Sequence, residues 1–183
     1  GYASEQYLTN LTFTPNDENL YIAIVNREQN NMTLKSFFTE SGKPDRTLFS
    51  ETSEKYVEPE HGPLFLDKGK KFIWQSERSG ANHLYLYNNK GELFKQLSSG
   101  NWMVTDLIGV DPKENFVYFK ANKENGIRQN IYQLNLKNSA IQLISSSTGQ
   151  HFVSFNQNFD LFIDNWSDLE NPRIIEIRDV KGK

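Results

Sequence analysis

The sequence has no cysteine, few alanines and no long apolar segment. Zero cysteines exclude disulfide bonds, cysteine nucleophiles and thiolate metal sites, although they leave the cellular compartment open. The longest unbroken apolar run covers residues 20–25, whereas a helix needs about 20 apolar residues to cross a bilayer. No membrane span is therefore expected.

The sequence also has no large excess of positive or negative charge. The formal net charge is −3 with both signs interspersed, so we expect no nucleic-acid partner. The three histidines, His61, His83 and His151, do not stand at the spacing of metal ligands. The turn at residues 156–160 is similar to a calcium loop but lacks its glycine and its final glutamate. We expect no metal and no cofactor.

Aromatic residues and asparagine, by contrast, are abundant. The chain contains 13 Phe, 8 Tyr and 3 Trp, and aromatic side chains suit half-buried pleated sheets, while a shortage of alanine disfavours helices. Apolar and polar residues alternate in many short segments, and no window shows the 3.6-residue period of an amphipathic helix. The sequence predicts an all-β protein with little or no helix and with turns rich in Asn, Asp and Gly.

An internal repeat organises these strands. Each unit reads strand, Asx or Gly turn, buried strand, polar turn, alternating strand, turn and short strand. The first-strand anchors, Phe13, Phe65, Gly109 and Phe155, are spaced 52, 44 and 46 residues apart. Four antiparallel strands in roughly 40–50 residues are typical of a β-propeller blade. We predict about four antiparallel four-stranded blades, covering approximately residues 5–50, 56–99, 101–146 and 150–183.

The last blade is expected to be incomplete, since the sequence stops at Lys183, where its fourth strand should begin. Blade faces are buried only against neighbouring blades, so we interpret residues 1–183 as a partial β-propeller domain. A complete small propeller and another all-β arrangement, such as a sandwich, are the alternatives. Unpaired strand edges and open blade faces also predict self-association into a homo-oligomer.

The residues themselves indicate no catalytic site. A Gly-x-Ser-x-Gly nucleophile elbow does not occur, and we interpret the serine-rich residues 145–149 as a solvated loop between blades. Three glycosylation patterns begin at Asn10, Asn31 and Asn165, and they matter only if the protein is secreted from a eukaryote.

One long connection between blades is acidic. It contains Glu51, Glu54, Glu58 and Glu60, and like charges this close can raise a pKa or attract a cation. Lys55 and the solvent support a simpler interpretation, a solvated acidic loop. Long loops on a rigid scaffold are nevertheless where binding residues concentrate.

Several segments, taken as a set, resemble the propeller of bacterial dipeptidyl peptidase IV enzymes, and the resemblance extends over residues 11–182. The segments are 56–59 (YVEP), 72–78 (FIWQSER), 83–87 (HLYLY), 102–106 (WMVTD), 130–134 (NIYQL), 153–155 (VSF) and 171–173 (NPR).

This resemblance implies a prolyl oligopeptidase-type serine peptidase, in which an eight-bladed N-terminal propeller precedes an α/β-hydrolase domain. Such enzymes release N-terminal dipeptides with Pro or Ala in second place. The chain is similar to the later half of the propeller, so the catalytic triad and the paired glutamates that bind the substrate α-ammonium are expected outside it. The implied partners are its own hydrolase domain and a peptide substrate, and the implied location is periplasmic or secreted.

The resemblance also implies candidate site residues. The connection around Tyr56 and Val57 aligns with a family loop that lines the extended substrate subsites; in mammalian relatives this loop carries an aromatic residue and an arginine. The corresponding stretch here is shorter and different. Tyr56, Glu58, Glu60 and His61 are therefore the residues expected to face the substrate cavity.

Two functions of other classes are weighed against this one. A stand-alone β-propeller interaction module is the alternative, and a reading frame that continues past Lys183 into a hydrolase would distinguish the two. A carbohydrate-active propeller would need inward carboxylates from several blades, and no acidic position recurs in the repeat.

Overall fold

The computed structural model describes residues 5–124, 126–146, 148–181 and 183, and their strands form four antiparallel sheets. Strands that follow one another in sequence are neighbours within each sheet, as in a propeller blade. The chain divides into two compact units, Gly1–Gln96 and Leu97–Lys183, each holding two of the sheets. Among the described residues the only helical element is a single 3-10 turn, Asp67–Gly69. The all-β prediction is confirmed.

Both sheets of the first unit have four strands. Sheet 1 consists of β1 (Gln6–Phe13), β2 (Asn19–Asn26), β3 (Asn31–Phe38) and β4 (Pro44–Thr52). Sheet 2 consists of β5 (Leu64–Leu66), β6 (Lys71–Ser76), β7 (His83–Asn88) and β8 (Leu93–Gln96).

The second unit has one sheet of four strands and one of three. Sheet 3 consists of β9 (Val104–Val110), β10 (Phe116–Ala121), β11 (Asn130–Asn135) and β12 (Ile141–Leu143). Sheet 4 consists of β13 (Gln150–Phe155), β14 (Leu161–Ser167) and β15 (Ile174–Asp179). No fourth strand pairs with β15 in the described part of the chain, as the sequence predicts. All four repeat anchors lie in the first strand of a sheet.

Aromatic rings hold the first unit together. The ring of Phe49 on β4 stacks on that of Tyr87 on β7, with centroids 4.5 Å apart, and Phe72 stacks on Tyr87 at 5.3 Å. Such rings remove large apolar areas from water and add favourable ring contacts. The turn between β7 and β8 also packs closely against β4 of sheet 1. A Cβ on Gly91 in that turn would lie only 2.0 Å from the carbonyl oxygen of Leu48. This contact joins sheets 1 and 2 at a position that only glycine can occupy.

The second unit has its own aromatic core. Tyr118 on β10 stacks on Phe159 with centroids 5.2 Å apart, and its hydroxyl donates to the carbonyl oxygen of Phe159 at 3.1 Å. Phe155 and Phe162 pack beside this pair. Burial, with a smaller contribution from Asp111 and Asp160, raises the pKa of Tyr118 to about 12.

Polar side chains set the tight turns, as predicted from composition. The carboxylate of Asp111 accepts hydrogen bonds from the backbone N–H groups of Asn115 at 2.7 Å and Phe116 at 2.6 Å, just where β10 begins. Asn156 accepts from the N–H of Asp160 at 3.2 Å in the corresponding turn of sheet 4. Both side chains replace backbone partners that a turn leaves unpaired.

Each unit leaves one apolar sheet face uncovered within itself. In sheet 1 an open cavity of about 760 Å³ is lined by side chains that include Leu8, Phe13 and Ile22. In sheet 4 Ile163 is 48 % exposed and Ile177 is 75 % exposed. Blades of a propeller carry apolar faces of this kind on both sides.

Candidate functional site

A polar cavity of about 480 Å³ lies beside the long connection between β4 and β5, residues 53–63. The connection supplies Tyr56, Val57, Glu58 and Pro59 to its lining, and sheet 2 supplies the end of β6 and the turn that follows. This 53–63 connection is the one that the sequence predicts to carry the site.

Backbone hydrogen bonds tie the connection to the turn between β2 and β3. The N–H of Ser53 donates to the carbonyl oxygen of Asn30 at 3.0 Å, and the N–H of Val57 donates to that of Gln29 at 2.6 Å. Two of the candidate residues, Tyr56 and Glu58, flank the fixed Val57. Their side chains are exposed, and Tyr56 is 57 % accessible.

Glu51 forms the fixed wall of the cavity. Its carboxylate accepts from the indole Nε1 of Trp74 at 2.8 Å and from the hydroxyl of Ser76 at 2.7 Å, and it pairs with the guanidinium of Arg78. The Glu51 side chain is only 9 % exposed. The sequence interpretation of a solvated acidic loop is therefore wrong for this residue, which belongs to β4 and is a neutralised, buried partner.

Arg78 completes the wall. Its guanidinium lies 4.6 Å from the ring centroid of Tyr85 and donates to the hydroxyl of Tyr87. Burial opposes the charged form, but Glu51 and Tyr87 outweigh it, so the pKa of Arg78 is raised. Burial also raises the pKa of Tyr87, which keeps its hydroxyl neutral. Charge at the wall is thus internally balanced.

The four candidate residues divide into two pairs. Tyr56 and Glu58 line the cavity. Glu60 is not among the lining residues, and its carboxylate accepts from the Nε2 of Gln75 at 3.3 Å. His61 also lies outside the lining, and its backbone carbonyl accepts from the side chain of Asn10 at 3.1 Å. The connection thus brings the first pair to the cavity, while the second pair lies outside its lining and makes hydrogen bonds to sheet 2 and to β1.

The free charge at the cavity is mostly negative. Glu54, Glu58 and Glu77 line it as exposed residues, and of the lining cations Lys55 and Arg78, Arg78 is already paired with Glu51. Since Glu51 and Arg78 cancel each other, the cavity presents a carboxylate-rich mouth and an aromatic ring, that of Tyr56, to whatever enters.

A second polar cluster lies where the sequence predicts only a solvated loop. In the connection from β12 to β13, residues 144–149, Ser145 is buried, and Ser146 lies 3.3 Å from the Nε2 of His151. The Nδ1 of His151 lies 2.9 Å from both carboxylate oxygens of Asp164. The side chains of His151 and Asp164 are completely buried. The 144–149 connection, described except for Ser147, is therefore anchored to a buried pair, although Thr148 remains exposed.

This cluster has the residue types of a serine hydrolase triad but not the hydrogen bonding of one. The Nε2 of His151 also lies 2.9 Å from the carbonyl oxygen of Thr148, which can only accept, and the hydroxyl of Ser146 donates to the same oxygen at 2.9 Å. Both ring nitrogens of His151 thus face acceptors, and the Nε2 position is directed at the Thr148 carbonyl oxygen, to which it can only donate. A nitrogen that already carries a proton cannot take one from Ser146, so the serine is not activated.

A charged network supports the buried pair. Arg178 on β15 lies 3.6 Å from Asp164 and donates to Glu176 at 2.6 Å, and the hydrogen bonds from Arg178 lower the pKa of Glu176. The ring of Trp166 stacks on His151 with centroids 6.0 Å apart. Asp164 lies two residues after the buried Phe162 on β14 and so shares its buried face, and in that alternating pattern a carboxylate on the buried face requires a partner. That alternation is the signal by which sequence reasoning could have found the pair.

The described residues contain neither a cluster of metal-ligating side chains nor a membrane-spanning helix. Within the ranges that the structure describes, no three His, Asp or Glu side chains gather as a metal site. The same ranges contain no helix with the length and apolar character that a bilayer crossing requires.

Comparison with known proteins points in one direction. A family profile described as the dipeptidyl peptidase IV (DPP IV) N-terminal region matches residues 2–173. A protein assigned as dipeptidyl-aminopeptidase B from Arthroderma otae is 32% identical over 111 residues, which cover 55% of this chain and 12% of that protein.

Two crystal structures are similar over nearly the whole chain. A protein from Bacteroides ovatus assigned as dipeptidyl aminopeptidase IV superposes with a TM-score of 0.90 and 32% identity, covering 100% of this chain and 29% of that one. Porphyromonas gingivalis dipeptidyl peptidase 4 gives a TM-score of 0.86 and 28% identity, covering 97% and 25%. The chain thus spans less than a third of these relatives. The predicted partial propeller is confirmed.

Proposed function

Because this chain belongs to the family of dipeptidyl peptidase IV N-terminal regions, we propose that it is the non-catalytic propeller part of a serine dipeptidyl peptidase. The whole enzyme releases N-terminal dipeptides with Pro or Ala in second place, and its α/β-hydrolase domain carries the chemistry. The profile match over residues 2–173 is the observation that carries this proposal.

The cluster at His151 agrees with a non-catalytic role. It is the place in the described chain where Ser, His and Asp side chains meet, and its hydrogen bonds leave no base for the serine. The uncovered apolar faces of sheets 1 and 4 agree with a partial propeller, since further blades would cover them.

In this proposal the propeller limits access to the triad and its 53–63 connection lines the substrate cavity. Tyr56 and Glu58 carry the contact, because their exposed side chains line the polar cavity on a backbone that Val57 fixes. Glu60 and His61 help to hold the same connection, since the Glu60 carboxylate accepts from Gln75 and the His61 carbonyl oxygen accepts from Asn10. A carboxylate-rich mouth with an aromatic ring favours peptides with a basic side chain near the scissile end.

Activity assays test the first part. The full-length protein should release p-nitroaniline from a Gly-Pro anilide and a dipeptide from a longer peptide, whereas the 183-residue chain should release neither. A full-length variant with its predicted hydrolase serine changed to alanine is the control for contaminating peptidases. Turnover by the 183-residue chain above that control would contradict the proposal.

A further inference from the structure

Asn10 occupies an irregular position in β1. The register between β1 and β2 shifts between Thr9 and Thr12, so Asn10 and Leu11 together face one residue, Ile22. Asn10 also has a φ of 53°, the left-handed conformation that Asn tolerates better than most residues. An unusual backbone conformation of this kind persists only where its surroundings hold it, and it directs attention to what the side chain does.

The Asn10 side chain reaches the 53–63 connection, which lies about fifty residues away in sequence. Its Nδ2 donates to the carbonyl oxygen of Pro59 at 2.8 Å and to that of His61 at 3.1 Å. One amide nitrogen thus uses both of its protons on one segment of chain. The connection also approaches β1 closely, because a Cβ on Gly62 would lie 2.4 Å from the Oγ1 of Thr12.

A second anchor holds the other end of the same stretch. The backbone carbonyl oxygen of Gln29, in the turn between β2 and β3, accepts a hydrogen bond from the N–H of Val57 at 2.6 Å. Gln29 also has a positive φ of 56°. Glu58 is the residue between the anchored Val57 and the anchored Pro59. Two residues with left-handed backbone conformations, Asn10 in β1 and Gln29 in the β2–β3 turn, therefore fix the backbone on both sides of Glu58.

We propose that Asn10 is a positioning residue, whose side-chain amide fixes the 53–63 connection so that Glu58 and Tyr56 are presented to the cavity. The part of this inference that concerns substrate rests on the function proposed above; the anchoring itself does not.

The test compares three variants of the full-length protein. Asn10→Asp keeps the shape of the side chain but replaces a donor with an oxygen facing two carbonyl oxygens. Asn10→Gly removes the donor and tolerates the positive φ, so it remains informative if the first variant fails to fold. Asn16→Asp is the matched control, since the Asn16 Oδ1 accepts bonds from Thr14 and from the N–H of Glu18, which a carboxylate can also do.

Hydrogen exchange measures the anchoring. The backbone amide of Val57, which donates to the Gln29 carbonyl oxygen, is the protected amide of this stretch, and loss of the two Asn10 hydrogen bonds should raise its exchange rate by about tenfold in both Asn10 variants and leave it unchanged in Asn16→Asp. Unchanged exchange at Val57 in both Asn10 variants would overturn the inference.

Kinetics separate the inference from the proposed function. If the connection touches substrate, the Asn10 variants should raise KM for a long peptide by roughly two- to fivefold while kcat on a Gly-Pro anilide stays constant. Faster exchange together with this KM change supports both statements. Faster exchange with unchanged kinetics supports the anchoring by Asn10 and contradicts a substrate contact by the connection.

Discussion

The 53–63 and 144–149 connections both lead from the last strand of one sheet to the first strand of the next, yet side chains hold them differently. The first is anchored through its backbone, by the Asn10 amide and the Gln29 carbonyl, and its own Tyr56 and Glu58 side chains remain exposed. The second is anchored to the buried, hydrogen-bonded pair of His151 and Asp164, whose imidazole contacts the Ser146 hydroxyl and the Thr148 carbonyl oxygen.

This difference indicates that the 53–63 connection presents side chains to a partner, whereas the 144–149 connection contributes to stability. A connection held by its backbone can offer its side chains to a partner, whereas a connection whose polar groups are consumed by a buried pair cannot. The expected consequence is that substitutions at His151 change stability, and substitutions at Glu58 change only recognition.

The largest effect is expected from breaking the buried pair. His151→Ala leaves the Asp164 carboxylate buried without its main partner, which typically costs about 3–5 kcal/mol of unfolding free energy. Chemical denaturation of the full-length protein measures this loss. Ser146→Ala removes a neutral hydroxyl and leaves the His151–Asp164 pair in place, so it should cost about 1 kcal/mol; equal losses in the two variants would contradict a central role for the pair.

The wall of the cavity is expected to show a smaller effect. Glu51→Gln leaves the Arg78 guanidinium without its counter-charge while retaining the size of the side chain, which should cost about 1–3 kcal/mol. The matched control is Glu54→Gln, an exposed carboxylate in the same cavity, with an expected change within about 0.5 kcal/mol. Similar losses of unfolding free energy in the two variants would contradict the structural role of Glu51 at the wall of the cavity.

Alkaline pH should weaken the core of the second unit. Burial raises the pKa of Tyr118 from 10.0 to about 12, so its contribution is fully present below the unfolded value and is lost as pH rises through the folded one. Tyr118→Phe should lose about 1 kcal/mol at pH 7, because the bond to the Phe159 carbonyl disappears, and should show a shallower decline of stability between pH 10 and about 12. Tyr56→Phe is the exposed control. A decline as steep as that of the unsubstituted protein would contradict the assignment to Tyr118.

The regular parts of the fold could be predicted from sequence because they depend on local chemistry. Alternation predicts the strands, and side chains such as Asp111 and Asn156 predict the turns because they bond to the backbone beside them. The short strand predicted to close each of the first three repeat units is found, as β4, β8 and β12.

The two anchors could not be predicted because both depend on strand register. The β13–β14 pairing places His151 opposite Trp166. Asp164 lies two residues before Trp166 and therefore on the same face of β14, where it can reach His151. Asn10 reaches the 53–63 connection through an irregularity in β1 that no local pattern marks. Tyr56 and Glu58 followed from a family resemblance, and their division from Glu60 and His61 required the structure.

One measurement addresses the central distinction most directly: steady-state kinetics and denaturation of full-length Glu58→Lys, with Glu40→Lys, an exposed acid of the β3–β4 turn, as control. The account predicts that Glu58→Lys raises KM by roughly two- to fivefold for a peptide with a basic side chain near its N-terminus, with stability unchanged. The control should change neither quantity. Unchanged kinetics in Glu58→Lys, or equal changes in both variants, would contradict the role of the 53–63 connection in presenting side chains to substrate.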